Sequence, residues 1–158
     1  MYVNPLQKRQ LSVTPEEITS NAPELLRRYG LKPDRKLGQN FLFDTEALLR
    51  VVEAGDVDID DTVLEIGPGL GSLTCLLAPR ARRVIAVEID RDLLPPLREV
   101  LVPFPNVLLV EGDILHLDIG QWFDASIDAT LRQAQPKQNL FRVDAHYLVV
   151  ANIPYYIT

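Results

Sequence analysis

Three short stretches of this 158-residue sequence put chemically useful groups directly after apolar runs. The first is Glu65-Ile66-Gly67-Pro68-Gly69-Leu70-Gly71, which follows a β-rich run and opens a helical one. A parallel α/β sheet places a nucleotide ligand at such a turn, and glycines let the backbone come close with no Cβ in the way. The spacing is Gly-x-Gly-x-Gly, with the third glycine one position earlier than in the dinucleotide fingerprint. Alone it is a weak signal, and a plain tight turn explains it equally well. The second is Glu88, which ends the next apolar run and can accept hydrogen bonds from both hydroxyls of a ribose. The third is Asp113, in Glu111-Gly112-Asp113, which can accept from an adenine amino group. Each acid alone is most often a solvated strand end. Suitable residues after three successive strands are harder to dismiss, and together they describe an adenosine site along the C-terminal edge of a sheet.

Asn152-Ile153-Pro154-Tyr155 follows a fourth apolar run. The exocyclic amine of adenine is a poor nucleophile because its lone pair is delocalised into the ring. Catalysis at that nitrogen needs acceptors that draw on both N–H bonds and favour a more tetrahedral form. Asn152 Oδ1 and the Ile153 carbonyl can accept them, Pro154 fixes the turn and Tyr155 can stack on the base. A strand-ending turn with an aromatic packed nearby is the purely structural alternative.

These groups need a scaffold, and the sequence supplies its parts. Thr14-Pro15-Glu16-Glu17 and Asn21-Ala22-Pro23-Glu24 each carry helix-start signals, predicting one or two short helices that stop at Gly30. Asp44 can cap a helix with apolar positions Ala47, Leu48, Val51 and Val52, up to Gly55. Thr62–Ile66 reads as a strand, Ser72–Ala78 as a helix and Arg83–Val87 as a buried strand, which is a β-α-β unit. Asp90–Leu101 reads as helical, with Pro95-Pro96 either starting the regular helix or breaking it. Val107–Val110 and Tyr147–Ala151 are the third and fourth strands. The alternation predicts an α/β fold, a parallel sheet with helices on its faces joined by right-handed crossovers. Residues 119–146 turn polar and irregular and are expected to form a surface insertion, with Trp122 as a packing anchor.

The net charge of −6 argues at first sight against a nucleic-acid partner. Residues 1–40 nevertheless carry +3 and the remainder −9, so a basic N-terminal arm on an acidic body is compatible with RNA contact, or with a solvated surface. The lone Cys75 stands among Leu73, Leu76 and Leu77, which suits an inert buried thiol. No secretory h-region or bilayer-length apolar run is present, so a cytoplasmic protein with no membrane partner is expected.

Gly38-Gln39-Asn40-Phe41-Leu42, Glu65–Gly71 with Ser72-Leu73-Thr74, Glu88-Ile89-Asp90, Gly112-Asp113 and Asn152–Thr158 together resemble the bacterial small-subunit (16S) ribosomal RNA adenine N6-dimethyltransferases. The motifs run in family order from about Leu31 to Thr158. Pro68 and Leu70 fit the housekeeping pattern rather than that of the resistance enzymes acting on large-subunit RNA. The resemblance implies a Rossmann-like class I methyltransferase fold using S-adenosyl-L-methionine and no metal, acting on two adjacent adenosines near the 3′ end of small-subunit rRNA or of an immature small subunit. It implies that Gln39, Asn40 and Leu42 close over the methionine end of the cofactor and that backbone at Gly67 and Gly69 lines its amino-acid moiety. Glu88 with Ile89 would take the ribose, Asp113 with Ile114 the adenine ring, and Asn152, Ile153, Pro154 and Tyr155 the target base, Asn152 also touching the cofactor. Residues 1–36 are expected to be a basic helical arm and 37–158 a methyltransferase domain truncated after its fourth parallel strand, lacking the C-terminal helical domain and by itself inactive. The insertion after Ile119 is longer than the family pattern.

Two other functions share parts of this pattern. A nicotinamide-dependent oxidoreductase would also combine a glycine-rich turn with an acidic strand end, but the shifted third glycine and Asn152–Tyr155 speak against it. A non-catalytic RNA-binding assembly factor could retain the fold without the reaction.

Overall fold

The structure is a computed structural model that describes residues 15–32, 44–118 and 147–151. The first helix, α1 (Pro15–Arg28), is a single helix that continues through Pro23, not two short ones. Pro23 lies on the exposed side, whereas Ala22 and Leu25 are buried, so the packed stripe offsets the cost of the proline. At its end the Leu31 N–H donates to the Leu26 carbonyl and the Gly30 N–H to the Arg27 carbonyl, with Gly30 at φ +65°. That is a Schellman motif, and its apolar pair, Leu26 and Leu31, packs together against one small cluster.

Helix α2 (Thr45–Ala54) begins where expected: Asp44 caps it by accepting from the Glu46 and Ala47 N–H groups. Strand β1 (Thr62–Ile66), helix α3 (Ser72–Leu77) and strand β2 (Arg83–Glu88) form the β-α-β unit. A single 3-10 turn, Arg91–Leu93, precedes α4 (Leu94–Leu101), which places Pro95 and Pro96 in the helix's first turn; they start the helix rather than break it. Strands β3 (Val107–Glu111) and β4 (Leu148–Ala151) complete the described elements.

All four strands are parallel, in the order β3-β2-β1-β4. The central pair is buried on both faces, which is why β1 and β2 read as nearly continuous apolar runs instead of alternating ones. Val63 and Val84 face a core shared with Leu48 and Val52 of α2, Leu73, Leu76 and Leu77 of α3, and Leu97 and Leu101 of α4. On the opposite face Leu64, Ile85 and Val87 pack with Leu108, Val110, Ile114 and Leu117. Cys75 is buried, and burial with the nearby Glu65 charge pushes its thiol up to about 12, so it stays protonated and inert as expected. Among the described residues no helix is long and apolar enough to cross a membrane. The insertion at 119–146 lies outside the described residues.

Helix α3 starts at Gly71, whose φ of +84° is a conformation L side chains rarely adopt. A Cβ there would also stand 2.8 Å from Leu97 Cδ1 and 3.3 Å from Val100 Cγ1 of α4. Gly71→Ala is therefore expected to cost about 1–3 kcal/mol of stability through backbone strain and overpacking. Thermal unfolding checks this; an unchanged melting temperature would mean that the loop and α4 are not packed as described.

Candidate functional site

The sheet register places three turns side by side. Ile66 pairs with Val87 and Val87 with Val110, so β1, β2 and β3 end at one level. The pairing continues into the turns: the Gly67 N–H donates to the Val87 carbonyl at 2.9 Å and the Gly112 N–H to the Glu88 carbonyl at 2.8 Å. Gly67, Glu88 and Asp113, singled out separately in the sequence, thus belong to one C-terminal edge. Ala151 pairs with Ile66, so β4 delivers the chain to the same edge.

Glu88 is the hub. Its Oε2 accepts from the Gly69 N–H at 3.0 Å and its Oε1 from the Asp90 N–H at 2.9 Å. Burial pushes its carboxyl above the ordinary carboxylate range, while these backbone donors pull it back. A carboxylate offers about four acceptor positions, more than the backbone donors of Gly69, Asp90 and Ile89 occupy. Gly69 reaches the carboxylate with φ +60°, and a Cβ at Gly67 would meet nothing within 4 Å. Among the described residues the loop is therefore open at Gly67 and anchored at Gly69.

Asp113 is also pre-arranged. Its Oδ1 accepts from the Leu115 N–H at 3.0 Å, and its Oδ2 lies 2.9 Å from His116 Nδ1. The Leu115 N–H first, and then His116, hold its carboxyl below the usual range, so it is an ionised acceptor at neutral pH. His116, without an assigned part in the sequence reading, orients this carboxylate. Ile89, directly after Glu88, is exposed, and Ile114, directly after Asp113, is half-buried.

One residue of the glycine-rich motif has no role of its own in the sequence reading. Glu65 sits in β1, 1% exposed, and the buried Thr74 hydroxyl lies near its carboxyl, although neither Oε2 nor Thr74 Oγ1 reaches good hydrogen-bond geometry with a described residue. Burial pushes its carboxyl up to about 8, against a lowering influence from the Thr74 hydroxyl, and the Glu88 charge raises it further. A charged residue inside the apolar run Thr62–Ile66 was the available signal. Gln39, Asn40, Leu42, Asn152, Ile153, Pro154 and Tyr155 lie outside the described residues.

Residues 30–158 match the family model for ribosomal RNA adenine dimethylase. The chain belongs to that family. A curated relative from Pelotomaculum thermopropionicum, "Ribosomal RNA small subunit methyltransferase A", is 42% identical over 135 residues, covering 85% of this chain and 43% of its own. The protein of the same name from Bacillus pumilus is 41% identical over 135 residues, covering 85% and 41%. This dimethylase-family chain therefore spans less than half the length of the curated relatives it matches. Among solved structures, a dimethyladenosine transferase from Plasmodium falciparum is 27% identical, with 72% of this chain and 33% of that one covered and a TM-score of 0.48.

Proposed function

We propose that the chain is the S-adenosylmethionine-binding part of an enzyme that methylates N6 of two adjacent adenosines near the 3′ end of small-subunit rRNA, in the cytoplasm. The observation that carries this reading is Glu88, buried at the sheet edge and held in place by the Gly69 and Asp90 N–H groups. The open cradle at Gly67 and the ionised Asp113 on the next strand fit the same ligand.

The cofactor supplies a methyl group activated by a positively charged sulfur. Glu88 accepts from its ribose hydroxyls, Asp113 accepts from its adenine amino group, and Ile89 with Ile114 offers apolar contact to the ring. Backbone at Gly67 and Gly69 leaves room for the amino-acid end, with Gln39, Asn40 and Leu42 covering it. Asn152 Oδ1 and the Ile153 carbonyl accept the two N–H bonds of the target amine, Pro154 holds their turn, and Tyr155 stacks on the base, which must be splayed out to be reached. Positioning and hydrogen bonding suffice for such a displacement, with no metal or covalent nucleophile in the account.

Glu88→Ala should weaken S-adenosylmethionine binding by about 1.5–3 kcal/mol, the loss typical of charge-assisted hydrogen bonds. Calorimetric titration checks it. Unchanged affinity, or NAD bound in preference to S-adenosylmethionine, would contradict the proposal.

A further inference from the structure

The glycine-rich loop is gripped from two sides. Leu70, between Gly69 and Gly71, is 3% exposed and packs with Ala22 of α1 and with Leu93, while Leu26 and Leu31 close the cluster. Gly71, on the other side, lies under Leu97, Val100 and Leu101 of α4. Helices α1 and α4 thus bracket the loop, and one side chain joins them. Glu99 of α4 accepts from Arg28 Nη1 at 2.6 Å through Oε1 and from Tyr29 Oη at 2.7 Å through Oε2. The two bonds span 71 and 70 residues of sequence and seize the last turn of α1 next to the Leu26–Leu31 pair that covers Leu70.

We infer that Glu99 is a positioning residue for the cofactor site: by tying the end of α1 to α4 it seats Leu70 and so holds the Gly69 N–H on Glu88. The inference rests on the reading of that loop as the S-adenosylmethionine cradle. A surface ion pair alone contributes little to stability because both partners are well hydrated, and Arg28 and Glu99 are each about half exposed. Its value here is geometric. Both carboxylate oxygens are engaged by different donors, which fixes the spacing of the two helices at the end of α1. Ionisation follows the same arrangement: the Tyr29 and Arg28 bonds lower the Glu99 carboxyl, which stays charged at neutral pH.

Glu99→Ala removes both bonds. Glu99→Gln keeps one acceptor oxygen for one donor and turns an N–H2 toward the other, so its effect should be intermediate. Amide hydrogen exchange, followed residue by residue, is measured in both variants, in Tyr29→Phe and in the wild type. Faster exchange is expected at Gly69 and Gly71 as well as at Arg28 and Tyr29, graded Ala over Gln, with β1 amides and the melting temperature nearly unchanged. S-adenosylhomocysteine affinity should fall by about threefold in Glu99→Ala, in line with the small energies of exposed pairs, with KM rising and kcat held in a protein carrying this chain at the length of its relatives. Faster exchange confined to Arg28 and Tyr29 would overturn the inference, because the tie would then hold only the helix end. Acceleration throughout the chain would also overturn it, as a general loss of stability. The exchange experiment needs no cofactor, so it decides this point even if the wild-type chain binds none, an outcome that would instead count against the proposed function.

Discussion

Asn152→Ala is expected to slow methyl transfer to undermethylated small ribosomal subunits by about 10²–10³-fold in kcat, the loss typical when one preorganised hydrogen-bond partner of a developing charge is removed. The reason lies in the nucleophile. An adenine amine gives up its lone pair only when its N–H bonds are engaged by acceptors, and on the proposed roles deleting Oδ1 would leave the Ile153 carbonyl alone to do so. The effect should appear in single-turnover rates at saturating S-adenosylmethionine, which separates chemistry from binding. Asn152→Asp keeps an acceptor oxygen and should retain more activity than Asn152→Ala. The protein tested carries this chain at the length of its curated relatives. A rate for Asn152→Ala within a few-fold of wild type would show that the residue is merely a strand-ending turn.

Glu65→Gln is expected to remove a pH dependence from folding stability. Burial holds the native carboxyl at about 8, whereas an exposed one titrates at 4.5. Between those values the native state keeps a proton that the unfolded chain has lost, so stability falls as pH rises. The contribution is fully present below the unfolded value and gone above the folded one. Each pH unit crossed corresponds to about 1.4 kcal/mol, which makes the accumulated difference on the order of a few kcal/mol by pH 9. Glutamine keeps the shape and cannot ionise. Denaturant unfolding at a series of pH values should give a wild-type stability that declines from weakly acidic to alkaline pH relative to the variant. Parallel curves would mean that Glu65 already finds a partner for its charge. Glu99 and Asp113, whose carboxyls are held low, act in the opposite sense and lose their contribution as pH falls, so the comparison between variants isolates Glu65.

The strands were legible because their burial is simple. β1 and β2 lie between two apolar layers, and each stops at a residue that breaks the apolar run: a glycine after Ile66, the acid Glu88 itself. The alignment of Gly67, Glu88 and Asp113 followed from parallel strands alone. Continuity of α1 was not legible, because Pro23 preceded by Asn21 carries the local signals of a new helix start, and what overrides them is packing of Ala22 and Leu25 against the body. The Arg28–Glu99–Tyr29 tie was equally hidden: local sequence shows only a basic helix end and an acid far along the chain. Charge in residues 1–40 likewise gave no sign that Ala22, Leu26 and Leu31 share a cluster with Leu70 of the glycine-rich loop. Glu65 was overlooked for a different reason. Standing first in a glycine motif it reads as part of the turn, and only its burial marks it as a carboxyl that keeps its proton at neutral pH.

On the proposed function, the edge formed by Gly67, Glu88 and Asp113 is an S-adenosylmethionine site. Titrating the isotopically labelled chain with S-adenosylhomocysteine, and following backbone amide resonances, tests it most directly. Saturable shifts should appear at Gly67, Gly69 and Gly71, at Ile89 and Asp90, and from Gly112 to Leu115, while Thr62, Arg82 and Arg83 at the opposite edge stay still. Shifts confined to that opposite edge, or the same C-terminal shifts produced by NAD and not by S-adenosylhomocysteine, would contradict the account.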